Sequence, residues 1–208
     1  MNLHRTTGRP DWDQITPANR NVWQKLAATS RGWLTPGNVL TLIGLVIVII
    51  GLHWLMAAHY WLALTALLVG RCFDLLDGWA AEVTGTKSPL GEILDAASDK
   101  IGTLLTLGAA SLISVGPWWL LLGLALPHLI IAAISYAANR RGRRLHPSRL
   151  GKISMAAAWI GLLGLIALQA TSMPSVTIGL AVYILCGLSI GLGLAAASGY
   201  MKALKLYG

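Results

Sequence analysis

The sequence predicts an all-α, polytopic membrane protein with six transmembrane helices preceded by an N-terminal interfacial amphipathic helix. Three observations carry this. The 208 residues are 55% hydrophobic and only 12% charged, with a mean hydropathy of +0.65, too apolar for a soluble domain of this size. Runs such as 39–56, 118–138 and 175–198 contain no Asp, Glu, Lys or Arg, and as helices they cover the roughly 30 Å of a bilayer's hydrocarbon. The 16 Lys and Arg residues fall into four places, separated by stretches that have none.

The elements follow in chain order. Residues 1–34 form an N-terminal segment in which Asp11 and Asp13 stand among basic residues, with no apolar core of the kind a cleavable signal peptide needs. Thr16-Pro17 reads as a helix start, after which Val22, Trp23, Leu26 and Ala27 share one face, the pattern of a helix lying on a membrane surface. Residues 35–208 then form one helical domain with spans near 38–57, 59–82, 90–114, 117–138, 152–171 and 175–199. Basic residues occupy the N-terminal segment, the surroundings of Arg71 to Lys100, the run Arg140 to Lys152 and the tail, whereas the loops around 51–60, 115–117 and 171–175 lack them. The positive-inside rule thus places both termini and both charged loops on the cytoplasmic side of the cell (inner) membrane. Trp54, Trp61, Trp118 and Trp119 suit anchors at the outer boundary. Gly187 and Gly191 make a G-x-x-x-G expected to pack helix on helix.

The net charge of +8 sits beside the spans, so anionic headgroups and phosphorylated substrates, not nucleic acid, are the expected partners. Cys72 and Cys186 lie in or beside spans and say little about redox compartment.

Against this background the stretch 73–100, FDLLDGWAAEVTGTKSPLGEILDAASDK, gathers six of the eight acidic residues. Asp74 and Asp77 are three apart at the end of the second span, and Asp95 and Asp99 four apart at the start of the third. Each pair therefore shares a helix face, and a hairpin of the two helices points four carboxylates at one another just inside the cytoplasmic boundary. Such a group repels itself and loses hydration, so it needs cations or protons. Oxygen-only donors favour Mg²⁺ or Mn²⁺ over zinc, and four carboxylates suffice for two ions of the kind that clamp a phosphoryl transfer. Gly78, Ala81 and Gly91 lie on the same surfaces and leave room for a bulky ligand. Interfacial charges paired with Arg71, Lys87 and Lys100 are the plainer alternative, but they do not account for the spacing.

These residues resemble the CDP-alcohol phosphotransferases, marked by D-x-x-D-G-x-x-A-R, eight residues, then G-x-x-x-D-x-x-x-D. The chain supplies Asp74, Asp77, Gly78, Ala81, Gly91, Asp95 and Asp99 in register, and Glu82 stands where the family has Arg. The upstream LTPGNVLTLIG is similar to the family's entry into its first span. The resemblance implies an enzyme of phospholipid biosynthesis in which an acceptor hydroxyl attacks the lipid-linked phosphorus of CDP-diacylglycerol and releases CMP. It further implies Asp74, Asp77 and Asp95 as metal ligands, Asp99 as both ligand and base, Gly78, Ala81, Gly91 and Asp74 at the CDP-lipid, and a homodimer.

Arg140, Arg149 and Lys152, within the basic run 139–152, are candidates for binding a phosphate on the acceptor. The pairs Asp99-Lys100 and Gly151-Lys152 are similar to phosphatidylglycerophosphate synthases, whereas LTPGNVLTLIG is similar to the inositol-phosphate branch, whose acidic, glycine-rich loop is missing from 139–152. Glycerol 3-phosphate is the favoured acceptor and inositol phosphate the alternative. Two readings from other classes stand beside these: an ion or proton transporter, because carboxylates within spans mark ion pathways, and an inactive scaffold, because of Glu82.

Overall fold

The computed structural model describes residues 10–140, 148–171 and 175–206, and among them all regular structure is helical. Two 3-10 turns, Asp11–Gln14 and Pro17–Asn19, lead into α1 (Val22–Thr29). Six long helices follow: α2 (Pro36–Met56), α3 (Tyr60–Val83), α4 (Pro89–Leu112), α5 (Trp118–Arg140), α6 (Arg149–Ala170) and α7 (Val176–Leu206). They coincide closely with the six expected segments, except that α7 continues well beyond residue 199.

α2, α6, the 118–138 part of α5 and the 176–203 part of α7 are long and apolar enough to cross a membrane, so the protein is an integral membrane protein. α3 and α4 match them in length but carry Arg71, Asp74, Asp77 and Glu82, and Glu92, Asp95, Asp99 and Lys100. Their charges keep them below the same standard of apolarity.

The chain divides into two compact units, one made of residues up to Trp54 with Thr65–Thr103, the other of Leu55–Leu64 with residues from Leu104 onward. In the first unit, α1 begins later than Thr16-Pro17 suggests. Pro17 opens only a short 3-10 turn, because Arg20 Nε donates to the carbonyls of Trp12 (2.9 Å) and Ile15 (3.1 Å) and the chain at Arg20 is extended. A capping box then starts the helix: Asn21 Oδ1 accepts from Gln24 N at 2.8 Å, and Gln24 Oε1 accepts from Asn21 N at 3.0 Å. Val22, Trp23 and Leu26 are exposed, but Ala27 is buried beside Gln24, so the expected apolar face is shared between the surface and the unit's interior.

α2 starts at Thr35, whose hydroxyl accepts from Asn38 N at 3.1 Å, with Pro36 at the first helical position. Its glycines let α3 approach closely. A Cβ on Gly44 would stand 3.0 Å from Phe73 Cβ, and one on Gly70 of α3 would stand 2.6 Å from Val48 Cγ2. α3 ends in a Schellman motif, in which Thr86 N donates to Ala81 O (2.9 Å) and Gly85 N to Glu82 O (3.1 Å). That motif needs a left-handed residue, and Gly85 has φ +62°. α4 opens three residues after Thr86: Ser88 Oγ accepts from Gly91 N at 3.0 Å, with Pro89 heading the helix.

In the second unit, α7 packs against both α5 and α6 around Leu120, Leu121, Leu124, Leu162, Leu165 and Ile166. Ser154 Oγ donates to Ser189 O at 2.9 Å and Ser189 Oγ returns the bond to Ser154 O at 2.8 Å, joining α6 to α7 within an apolar interior. The close approaches use Gly161 against Cys186 and Gly193 against Pro127. Gly187 and Gly191, expected to pack helix on helix, have no such neighbour among the described residues, since a Cβ at either would meet nothing within 4 Å. They fall on α7's exposed side, away from α5 and α6. Trp61, Trp118 and Trp119 are exposed, as interfacial anchors would be.

Candidate functional site

The acidic residues of α3 and α4 meet in the first unit. Carboxylate oxygens of Asp74, Asp77 and Asp95 all lie within 4.8 Å of one another. The one-turn spacing of Asp74 and Asp77 and the antiparallel return through residues 84–88 produce this convergence. Asp77 is the most enclosed, 3% exposed, and the hydroxyl of Thr41 on α2 lies 2.6 Å from its Oδ2.

Asp99, the fourth expected member, is one turn further along α4 and is not part of that three-carboxylate group. It is tied to the group through Arg71, whose Nη1 is 2.5 Å from Asp99 Oδ1 and 3.0 Å from Asp74 Oδ2. The guanidinium thus bridges the two helices beside the cluster. One cation set against four carboxylates leaves a surplus of negative charge in a partly desolvated place.

A cleft of about 180 Å³ adjoins the cluster, lined by Asp77 and Asp95, by the expected Gly78, Ala81 and Gly91, and by polar groups including Asn38, Thr86, Lys87 and Ser88. Gly78 is informative here. A Cβ on it would meet no protein atom within 4 Å, so internal packing does not account for its lack of a side chain, whereas a ligand entering the cleft would. A Cβ on Gly91 would instead come within 3.1 Å of Asn38 Oδ1 and 3.3 Å of Ser88 Oγ. The donor set, carboxylate oxygens converging on one point with charge to neutralise, fits a hard divalent cation.

Glu82 forms an exposed ion pair with Lys87 at 3.2 Å. Lys87 lines the cleft, so the anion at the motif's Arg position has a cation of its own beside it.

The candidates for an acceptor phosphate belong to the second unit. Arg140 ends α5, exposed, with its guanidinium carbon 6.0 Å from the centre of the Tyr136 ring. Arg149 and Lys152 occupy the exposed first turn of α6. Ser148 caps that turn by accepting from Gly151 N at 3.0 Å, and its own N–H donates to Tyr200 Oη at 2.8 Å. Arg143 and Arg144, weaker candidates in the same run, lie outside the described residues.

Sequence reasoning missed Thr41 and Asn38. Asn38 is buried and donates to the carbonyls of Gly32 (2.9 Å) and Trp33 (3.1 Å). The signal was available: Thr35, Asn38 and Thr41 recur every third residue in an otherwise apolar helix, a polar stripe with no lipid to face.

No solved structure matches the chain. The family model for CDP-alcohol phosphatidyltransferase matches residues 34–190, which takes in α2 to α6, the whole acidic motif and the first half of α7. The chain therefore belongs to the CDP-alcohol phosphatidyltransferase family, enzymes that transfer a phosphate-containing group from a CDP-alcohol to an acceptor.

Proposed function

We propose that this protein transfers the phosphatidyl group of CDP-diacylglycerol to glycerol 3-phosphate, releasing CMP, in a reaction that depends on Mg²⁺ or Mn²⁺. The observation that carries the reading is the convergence of Asp74, Asp77 and Asp95 at the edge of a polar cleft, in a chain of this family. These three carboxylates would hold the divalent ions, two of them, with Asp99 adjoining. When bound, such ions offset charge on the pyrophosphate and on departing CMP. Thr41 fixes the Asp77 carboxylate by its 2.6 Å hydrogen bond. Gly78, Ala81 and Gly91 give the CDP-lipid close access to the helix surfaces.

Asp99 takes the proton of the acceptor hydroxyl as its oxygen attacks the lipid-linked phosphorus and the bond from that phosphorus to the CMP oxygen breaks. A carboxylate needs only modest basicity for this once the hydroxyl is held in line. Arg71, in contact with both Asp99 Oδ1 and Asp74 Oδ2, orients the Asp99 carboxylate.

In the same reading the chain crosses the cell membrane six times with both termini and the site cytoplasmic, residues 1–34 form a segment whose α1 lies at the interface, and two copies form a homodimer. α3 and α4 span as well, with Asp74, Asp77, Asp95 and Asp99 gathered at the site. The inositol-phosphate alternative keeps the same chemistry and differs only at the acceptor.

Two results follow. Arg149→Ala or Lys152→Ala should raise the acceptor's KM by about tenfold to a hundredfold, the worth of a charge-assisted contact, and leave CDP-lipid affinity nearly unchanged. Steady-state kinetics with each substrate varied in turn checks this, and equal loss for both would point to a damaged loop. Because the Glu82–Lys87 pair is exposed, Glu82→Arg should keep activity within about tenfold or increase it. Activity that appears only in Glu82→Arg would favour the scaffold reading, and activity destroyed by it would make Glu82 a ligand. The acceptor itself is decided by assaying purified protein with CDP-diacylglycerol against glycerol 3-phosphate, inositol phosphate, serine and phosphatidylglycerol.

A further inference from the structure

We infer that residues 10–33 act as a clamp on the loop that forms one wall of the cleft, and that Gln24 is a positioning residue for the CDP-alcohol bound there. This rests on the reading of that cleft as the CDP-alcohol site.

The loop, residues 84–88, joins the helix bearing Asp77 to the helix bearing Asp95, and three of its residues, Thr86, Lys87 and Ser88, line the cleft. Its placement sets the width of the opening beside the cluster. The preceding segment grips it at each end. Gln24 Nε2 donates to Thr84 O at 3.3 Å and Asn21 Nδ2 donates to the same carbonyl at 3.2 Å. At the other end Asp11 N donates to Lys87 O at 3.1 Å. Trp12, 3% exposed, lies against Gly32, where an added Cβ would be 3.2 Å from the indole and 3.6 Å from Ser88 Oγ.

Gln24 is the unexpected member. It is 7% exposed although it is a polar residue on a short helix whose neighbours Val22 and Trp23 are apolar and exposed. Burying a glutamine is unfavourable unless both ends of its amide are used. Here Oε1 accepts from Asn21 N at 3.0 Å and Nε2 reaches the loop. The same amide therefore starts α1 and fixes the end of α3. A carbonyl at a helix C-terminus needs some donor, and water would serve for stability alone. A donor held on a second, capped helix fixes the loop's position as well.

Two variants separate this from a loss of folding. Gln24→Met keeps the side chain's length, leaves Asn21 to cap α1 and removes the Nε2 donor to Thr84 O, whereas Asn21→Asp keeps the capping oxygen and removes the Nδ2 donor to the same carbonyl. In detergent or nanodiscs, amide hydrogen exchange should quicken at residues 84–88, whose N–H groups at Thr84, Gly85 and Thr86 are bonded to Ala80, Glu82 and Ala81. The KM for CDP-diacylglycerol should rise by about three- to tenfold, as for one neutral hydrogen bond, with kcat and the acceptor's KM within about twofold of the native values. Unchanged exchange in both variants overturns the clamp, as does an equal rise in both KM values. If the native protein releases no CMP from CDP-diacylglycerol, the proposed reaction falls, and the exchange result alone upholds or overturns the clamp.

Discussion

Asp77→Asn or Asp95→Asn abolishes CMP release, by about a hundredfold or more, while the protein still inserts and folds. The substitution preserves size and removes one negative charge from a place where three carboxylates lie within 4.8 Å of one another. For Asp77 the effect should be the most complete. It is 3% exposed, and Thr41 finds an amide oxygen in place of the carboxylate, so the fold keeps its hydrogen bond while a cation loses a charged ligand. Binding of Mn²⁺ to purified protein, followed by its paramagnetic signal, should weaken in parallel with turnover. Unimpaired turnover in either variant would remove the metal site from this account.

Asp99→Asn should fail in a different way. It binds CDP-diacylglycerol nearly as well as the native protein and loses the chemical step, by about a hundredfold to ten-thousandfold, the usual worth of a positioned base. The geometry gives the reason for the split. Asp99 stands outside the three-carboxylate group and shares Arg71 with Asp74, which remains that guanidinium's partner at 3.0 Å when Asp99 is neutral. Equilibrium binding of the CDP-lipid, measured beside single-turnover CMP release, distinguishes the two. A large loss of CDP-lipid binding with intact turnover would contradict the role of base.

The aspartates were legible in the sequence because carboxylates are so costly within apolar helices that their spacing carries meaning, and three- and four-residue intervals fix a shared face. What lay beyond reach involved contacts distant in sequence. Arg71 could be named as a partner for the aspartates but not assigned to Asp99, 28 residues away, and Thr41 and Asp77 are 36 apart, so neither pairing follows from periodicity within one helix. The start of α1 was misplaced for a local reason. Pro17 advertises a helix, yet Asn21 with Gln24 three residues later makes a capping box and prevails. Ala27, expected on the apolar face, is buried instead, beside Gln24, which turns inward to a loop 60 residues away. Gly187 and Gly191 show the converse: a packing motif read correctly as small residues on one face, but without an intrachain helix opposite it. The charge on α3 and α4 had the same double effect, revealing the site while obscuring the apolarity by which a span is recognised.

The most direct test of the central claim is CMP release by the purified protein in lipid, given CDP-diacylglycerol and glycerol 3-phosphate, before and after chelation of divalent ions. The account predicts CMP in equal amount to a new phosphatidyl product, lost on chelation and restored by Mg²⁺ or Mn²⁺. CMP release that survives chelation, or none with any hydroxyl acceptor while Asp74, Asp77 and Asp95 are intact, would contradict it.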